Sequence, residues 1–286
     1  MKHSMALVLS GLLGSIVTAA AGRTYPVGDA GYINGPHGRL SAVLQLPKGF
    51  DPAKDKCTLV ILMHGVMSHK NIVPMPRIAR KMVKAGYAVL RFDFNAQGKS
   101  DGDLMKCTVP SEIDDARSVY DYARTLPFVD KIVLAGHSQG GAVAGMLAGR
   151  LAAEGRAPDA LVLLAPGGAI KDFALQGSFL GVHCDPVDPP ESVRVYWYKF
   201  SREYILTAQT LPIYEESALY YGPVCIIHGT TDRIIPLEYS AKYREIYPGC
   251  EYVEIPGERH LLTNHPSKVD SAIIAFLDRL FSHPVS

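Results

Sequence analysis

Six short apolar runs, most of them continuously apolar, punctuate the chain: TLVILMHG from Thr58, YAVLRFDF from Tyr87, KIVLAGHS from Lys131, ALVLLAP from Ala160, VCIIHGTTD from Val224 and EYVEIPG from Glu251. Strands buried on both faces carry no polar alternation, so these runs predict the strands of a mainly parallel sheet. Between them lie stretches with helical spacing, namely PSEIDDARSVYDYARTL, GGAVAGMLAGRLAAEG, PLEYSAKYREIYP and SKVDSAIIAFLDRLF. Strand and helix in alternation give an α/β fold with helices on both faces of the sheet. Ahead of them, GYINGPHGRLSAVLQLP reads as an antiparallel hairpin with a Gly-Pro turn. From Gly167 to about Pro212 the rhythm stops, and the interval is too long for an ordinary connection and rich in aromatic residues. It predicts an insertion over the carboxyl end of the sheet: a small cap on one domain.

The chain opens with Lys2 and His3, an apolar stretch from Met5 to Val17, and Ala19, Ala20 and Ala21 as a cleavage site. That pattern predicts a signal peptide over residues 1–21, with export to the periplasm or beyond and a mature domain over 22–286. The apolar stretch is too short for a stable membrane anchor. Five cysteines, Cys57, Cys107, Cys184, Cys225 and Cys250, show no metal-ligand spacing, so neither a metal nor another cofactor is expected. An odd number in an exported chain leaves at least one thiol unpaired within it, and Cys225 reads as a core thiol. A net charge of +1, with 20% charged residues, leaves no surplus to favour nucleic acid or an anionic membrane surface. The expected partner is a small molecule; oligomeric state is not legible.

Ser138 sits in G-H-S-Q-G, between an apolar strand and a helix that starts at once. In that context the sequence predicts a nucleophile elbow, whose flanking glycines let the backbone turn sharply and present the hydroxyl. The alternative is a packing turn with an inert serine. A nucleophilic serine needs a base, and the base needs a group that fixes its tautomer. Asp232, at the end of VCIIHGTTD, and His260, in GERH after the next strand, both fall at strand ends on the same edge. The order Ser138, Asp232, His260 is the one an α/β-hydrolase uses. Singly, Asp232 reads equally as a helix cap and His260 as a loop histidine. His137 is expected to point away from Ser138, and His228 to pack. For the oxyanion, the backbone N–H of Gln139 and that of Val66, in the loop after the first strand, are the candidate donors, with Met67 as the fallback. His64, Tyr196, Trp197 and Tyr198 are candidate substrate-binding residues, although three consecutive aromatics cannot all face one side. Lys99 and Asp101 in the Arg91–Gly102 stretch read as structural.

Taken together, G-H-S-Q-G-G, H-G-T-T-D, G-E-R-H, H-G-V-M-S-H-K and R-F-D-F-N-A-Q-G-K-S-D-G resemble the bacterial feruloyl (cinnamoyl) esterases of the α/β-hydrolase fold. The resemblance runs from about Gly31 to Phe281. It implies Ser138 as nucleophile, Asp232 as acid, His260 as base, and Val66 and Gln139 as oxyanion donors. It also implies a small cap that helps bind a phenolic acyl group. Val66 departs from the family, which usually has an aromatic residue after its His-Gly. The expected function is an exported serine esterase acting on hydroxycinnamate esters of plant cell-wall sugars. The alternatives are a serine peptidase or general carboxylesterase of the same fold, and a hydrolase-like binding protein without turnover.

Overall fold

The apolar runs divide their side chains between two cores. In strand β4 (Cys57–Met63), Leu59, Ile61 and Met63 face one helical layer and Val60 and Leu62 the other. This period of two, with hydrophobic residues on both sides, is what a sandwiched sheet requires. The computed structural model describes residues 22–281; the leader expected over residues 1–21 lies outside them.

The remaining sheet strands are β1 (Arg23–Tyr25), β2 (Tyr32–Gly35), β3 (Gly38–Leu46), β5 (Ala88–Phe92), β6 (Val129–His137), β7 (Ala160–Leu164), β12 (Val224–Gly229) and β13 (Glu251–Ile255). They run in the order β1-β3-β5-β4-β6-β7-β12-β13, with β2 paired to β3, a nine-stranded sheet among the described residues. From β5 through β13 every pairing is parallel, and the β2–β3 hairpin and β1 add antiparallel pairs at one edge. Helices α2 (Val109–Arg124) and α3 (Gln139–Ala153) bury their apolar sides in one core; α1 (Met75–Lys84) and α8 (Pro266–Phe281) bury theirs in the other. The α2 helix starts on a capping box in which Thr108 and Ser111 exchange side-chain and backbone hydrogen bonds. Helices α6 (Ile213–Ser217) and α7 (Leu237–Ile246) bracket β12. No described helix is long and apolar enough to cross a membrane.

The interrupted interval folds as α4 (Ile170–Leu175), a hairpin of β8 (Ser178–Phe179) with β9 (Val182–His183), a hairpin of β10 (Ser192–Val195) with β11 (Tyr198–Ser201), and α5 (Arg202–Ala208). Its Phe179, Phe200 and Tyr204 rings follow one another at centroid distances of 5.0 Å. These rings belong to the same buried cluster as α2 and α3, so the cap is rooted in the main core. The aromatic triplet splits as alternation demands. Tyr198 is 6% exposed and packs inside the cap, whereas Tyr196, at φ +54°, and Trp197 form the exposed hairpin tip.

Candidate active site

The sheet delivers three side chains to one place. Ser138 lies between the end of β6 and the first residue of α3, at φ +56° and ψ −125°. A non-glycine residue there stores roughly 1–3 kcal/mol of strain. Backbone hydrogen bonds hold it: Ser138 N–H donates to Leu164 O at 2.9 Å, and Ser138 O accepts from Gly141 and Gly167 N–H at 2.9 and 2.7 Å. Glycine is required on both sides of the turn. A Cβ on Gly136 would lie 2.0 Å from Gly140 O, and one on Gly140 would lie 2.4 Å from His64 O.

His260 follows β13, in a loop organised by Glu258. The Glu258 carboxylate, fully buried, accepts the backbone N–H groups of Arg259 at 2.8 Å, Asn264 at 3.0 Å and His265. His260 Nε2 is 2.9 Å from Ser138 Oγ, and its Nδ1 is 2.7 Å from Asp232 Oδ2. An ionised carboxylate only accepts, so Nδ1 carries the proton and Nε2 is left to accept from the serine hydroxyl. His137, expected to point away from Ser138, has work of its own: its Nε2 donates to His260 O at 2.7 Å. Burial, reinforced by the neighbouring His260, drops His137 to about 3, which keeps it neutral.

Asp232 is fixed from four directions. Oδ1 accepts from the backbone N–H groups of Ile234 at 2.8 Å and Ile235 at 3.0 Å. Oδ2 accepts from His260 and, at 2.9 Å, from His228 Nε2. Burial alone would raise this carboxyl; the hydrogen bonds from His228 and His260 outweigh it and hold the group well below the usual carboxylate range. His228, expected only to pack, therefore contacts Asp232 directly.

The loop after β4 passes beside Ser138, since a Cβ on Gly65 would lie 3.4 Å from its Oγ. Val66 comes next, half-buried against the core, and Met67 follows at φ +59°. Gln139 begins α3, where a backbone N–H has no partner within its own helix. His64 does not face a substrate. It is fully buried, its Nε2 accepts from Phe94 N–H at 3.2 Å, and its Nδ1 meets Gly65 O at 2.8 Å. Burial pushes it down to about 4, so it is a neutral brace beneath the loop.

The far end of this loop is pinned by Lys70, whose Nζ donates to Asp93 Oδ2 at 2.5 Å and to Ser41 Oγ at 2.8 Å. Lys70 and Lys99 N–H also donate to the Asp93 carboxylate, at 2.6 and 2.9 Å. The Arg91–Gly102 stretch is thus scaffolding for the loop, while Asp101 pairs with Arg39 at the surface.

Beneath the cap lies a group the sequence did not flag. Gln139 Nε2 donates to Glu112 Oε2 at 2.8 Å, and Gln139 Oε1 accepts from Tyr204 OH at 2.6 Å. The cap is thereby tied to the residue after Ser138. Burial raises Glu112 to about 8, even though Gln139 and Gln97 hydrogen-bond it. Its native pKa exceeds the unfolded value, so the folded state holds a proton that the unfolded chain releases, and this contribution to stability falls as pH rises through that window. Thermal melts should therefore show the wild type losing stability relative to Glu112→Gln between about pH 4.5 and 8. A constant difference across that range would mean that Glu112 is ionised in the native state.

Among the described residues, no group of three or more His, Cys, Asp or Glu side chains is arranged to hold a metal, and all five cysteines are free. Cys225 is fully buried in β12.

Comparison with known proteins agrees with this fold. A family model described as serine aminopeptidase, S33, matches residues 54–181. The structure of Est1E from Butyrivibrio proteoclasticus with ferulic acid bound superposes with a TM-score of 0.82; it is 32% identical and the match covers 88% of this chain and 99% of that one. Protein ABHD12B of Homo sapiens is 27% identical over 223 residues, which are 75% of this chain and 59% of that protein. The mitochondrial palmitoyl-protein thioesterase ABHD10 of Mus musculus is 24% identical over 200 residues, 65% of this chain and 63% of that protein. The chain thus spans less than two thirds of the length of these curated relatives.

Proposed function

The chain belongs to the α/β-hydrolase family, alongside the bacterial feruloyl (cinnamoyl) esterases, and on that premise we propose that it hydrolyses hydroxycinnamate esters through an acyl-enzyme on Ser138. It is a serine hydrolase of esterase type; the aryl acyl group is the finer reading. The observation that carries it is the likeness to Est1E, at 32% identity across 88% of this chain, in a structure with ferulic acid bound. The tie from Tyr204 to Gln139 supports it, because it places the aromatic cap one hydrogen bond from the residue beside the nucleophile.

The reaction follows from the geometry. His260 Nε2 takes the Ser138 proton as Oγ attacks the ester carbonyl, and Asp232 stabilises the imidazolium that forms. The oxyanion is met by the backbone N–H groups of Gln139 and Val66, dipoles already fixed before charge develops. Collapse expels the alcohol, which receives the proton from His260 and leaves an acyl-Ser138. Water, deprotonated by the same His260, then attacks the acyl group and releases the acid.

Methyl ferulate, methyl acetate and an aminoacyl anilide separate the readings. Methyl ferulate should exceed methyl acetate in kcat/KM by at least about tenfold, equivalent to ~1.4 kcal/mol of transition-state binding from the ring. The anilide should be turned over least. Equal rates on the two esters would reduce the enzyme to a general carboxylesterase, and faster anilide cleavage would make it a peptidase.

A further inference from the structure

The acid carries two histidines, and the reaction as derived uses one. His228, the penultimate residue of β12, has no exposed surface, so it cannot reach a substrate. Its Nε2 lies 2.9 Å from Asp232 Oδ2 and 3.1 Å from Ile235 O, both of them acceptors. Nε2 must therefore bear the proton. Its Nδ1 lies 2.6 Å from Ser240 Oγ, a buried hydroxyl on α7. With Nε2 protonated, neutral imidazole accepts at Nδ1, and Ser240 is its donor.

This geometry has a mechanical consequence. The two backbone N–H groups of Ile234 and Ile235 hold only Oδ1, and a carboxylate held at one oxygen can still swing the other. Oδ2 is the atom that orients His260. We propose that His228 is a positioning residue for the esterase reaction: it locks Oδ2 in line with His260 Nδ1, and Ser240 locks His228 in the tautomer that can do so. The proposal rests on the reading of Ser138, His260 and Asp232 as the catalytic set, and it extends that set by a relay from α7 through β12 to the acid.

The test uses the full-length enzyme and p-nitrophenyl acetate, so that it is independent of acyl preference. His228→Leu should lower kcat about ten- to a hundredfold, the scale of a lost hydrogen bond to a charged group, with KM within about twofold of wild type. His228→Gln, whose amide N–H can reach Oδ2, should recover most of that loss. Ser240→Ala should cost about two- to fivefold in kcat. Because His228 acts through Asp232, adding His228→Leu to Asp232→Asn should cost little beyond Asp232→Asn alone. Full kcat in a folded His228→Leu enzyme, multiplicative losses in the double variant, or a His228→Gln enzyme that folds but is as slow as the leucine variant would each overturn the proposal. If His228→Leu does not fold, the kcat values of His228→Gln and Ser240→Ala decide: both must follow the stated losses. A fully active Asp232→Asn enzyme would instead refute the catalytic set itself.

Discussion

Ser138→Ala is expected to lower kcat by about 10⁴- to 10⁶-fold on any ester the enzyme accepts, with its melting temperature close to wild type. The loss is large because the oxygen that lies 2.9 Å from His260 Nε2 is the Ser138 Oγ, which alanine lacks. The fold should tolerate the change, since the strained backbone at residue 138 is held by its own N–H and C=O and not by Oγ. Only the hydroxyl's bond to His260 disappears, a matter of about 1 kcal/mol. His260→Ala should lose activity on the same scale, and the double variant should be little worse than either single one, because nucleophile and base work as a unit. Steady-state kinetics on p-nitrophenyl acetate check this directly. Losses that multiply, or residual turnover within about tenfold of wild type, would remove Ser138 as nucleophile.

Asp232→Asn should cost about 10³- to 10⁴-fold in kcat, and it should also destabilise the protein. The double effect follows from the four donors around this carboxylate. An asparagine has one accepting oxygen to offer them. With its NH₂ toward the histidines it opposes the His228 N–H and forces His260 to accept at Nδ1, which puts a proton on Nε2 and blocks it as a base. With the NH₂ turned the other way it opposes the backbone N–H groups of Ile234 and Ile235. Either orientation sets a buried donor against a donor, at roughly 1–3 kcal/mol. Kinetics and a denaturant titration of the same sample read both consequences. A fully active Asp232→Asn enzyme would assign the acid's role to another residue.

What the sequence revealed depended on whether a signal was local. The apolar runs marked six strands of the sheet: within the sandwiched strands burial on both faces removes polar alternation, whereas the edge strand β13 keeps Glu251 and Glu254. The strand-Ser138-helix junction and the order of Asp232 and His260 pointed to the residues that the structure brings within hydrogen-bond distance. Long-range partners were not legible. His228 sits inside an apolar run and looks like packing; only the fold places Ser240 and Asp232 on its two nitrogens. Glu112 carried a faint signal, a carboxylate on the same helical stripe as Ala116 and Ala123, but nothing local showed that Gln139 and Gln97 would cover it. His64 misled for the opposite reason. A histidine at the carboxyl end of a strand beside an active site suggests substrate contact, yet the Phe94 backbone claims its ring. The cap hairpins, two of whose strands are two residues long, offer too little period to read. The turn at Tyr196 and Trp197, which decides that Tyr198 points inward, depends on a positive φ at Tyr196 that no residue type there announces.

Rapid acid quench during turnover of methyl ferulate, followed by peptide mass analysis, shows whether an acyl group passes through Ser138. A feruloyl group esterified to the peptide carrying Ser138 is expected in wild type and is expected to be absent in Ser138→Ala. Turnover with no acylated peptide under any quench time, or a feruloyl group on another residue, would contradict it.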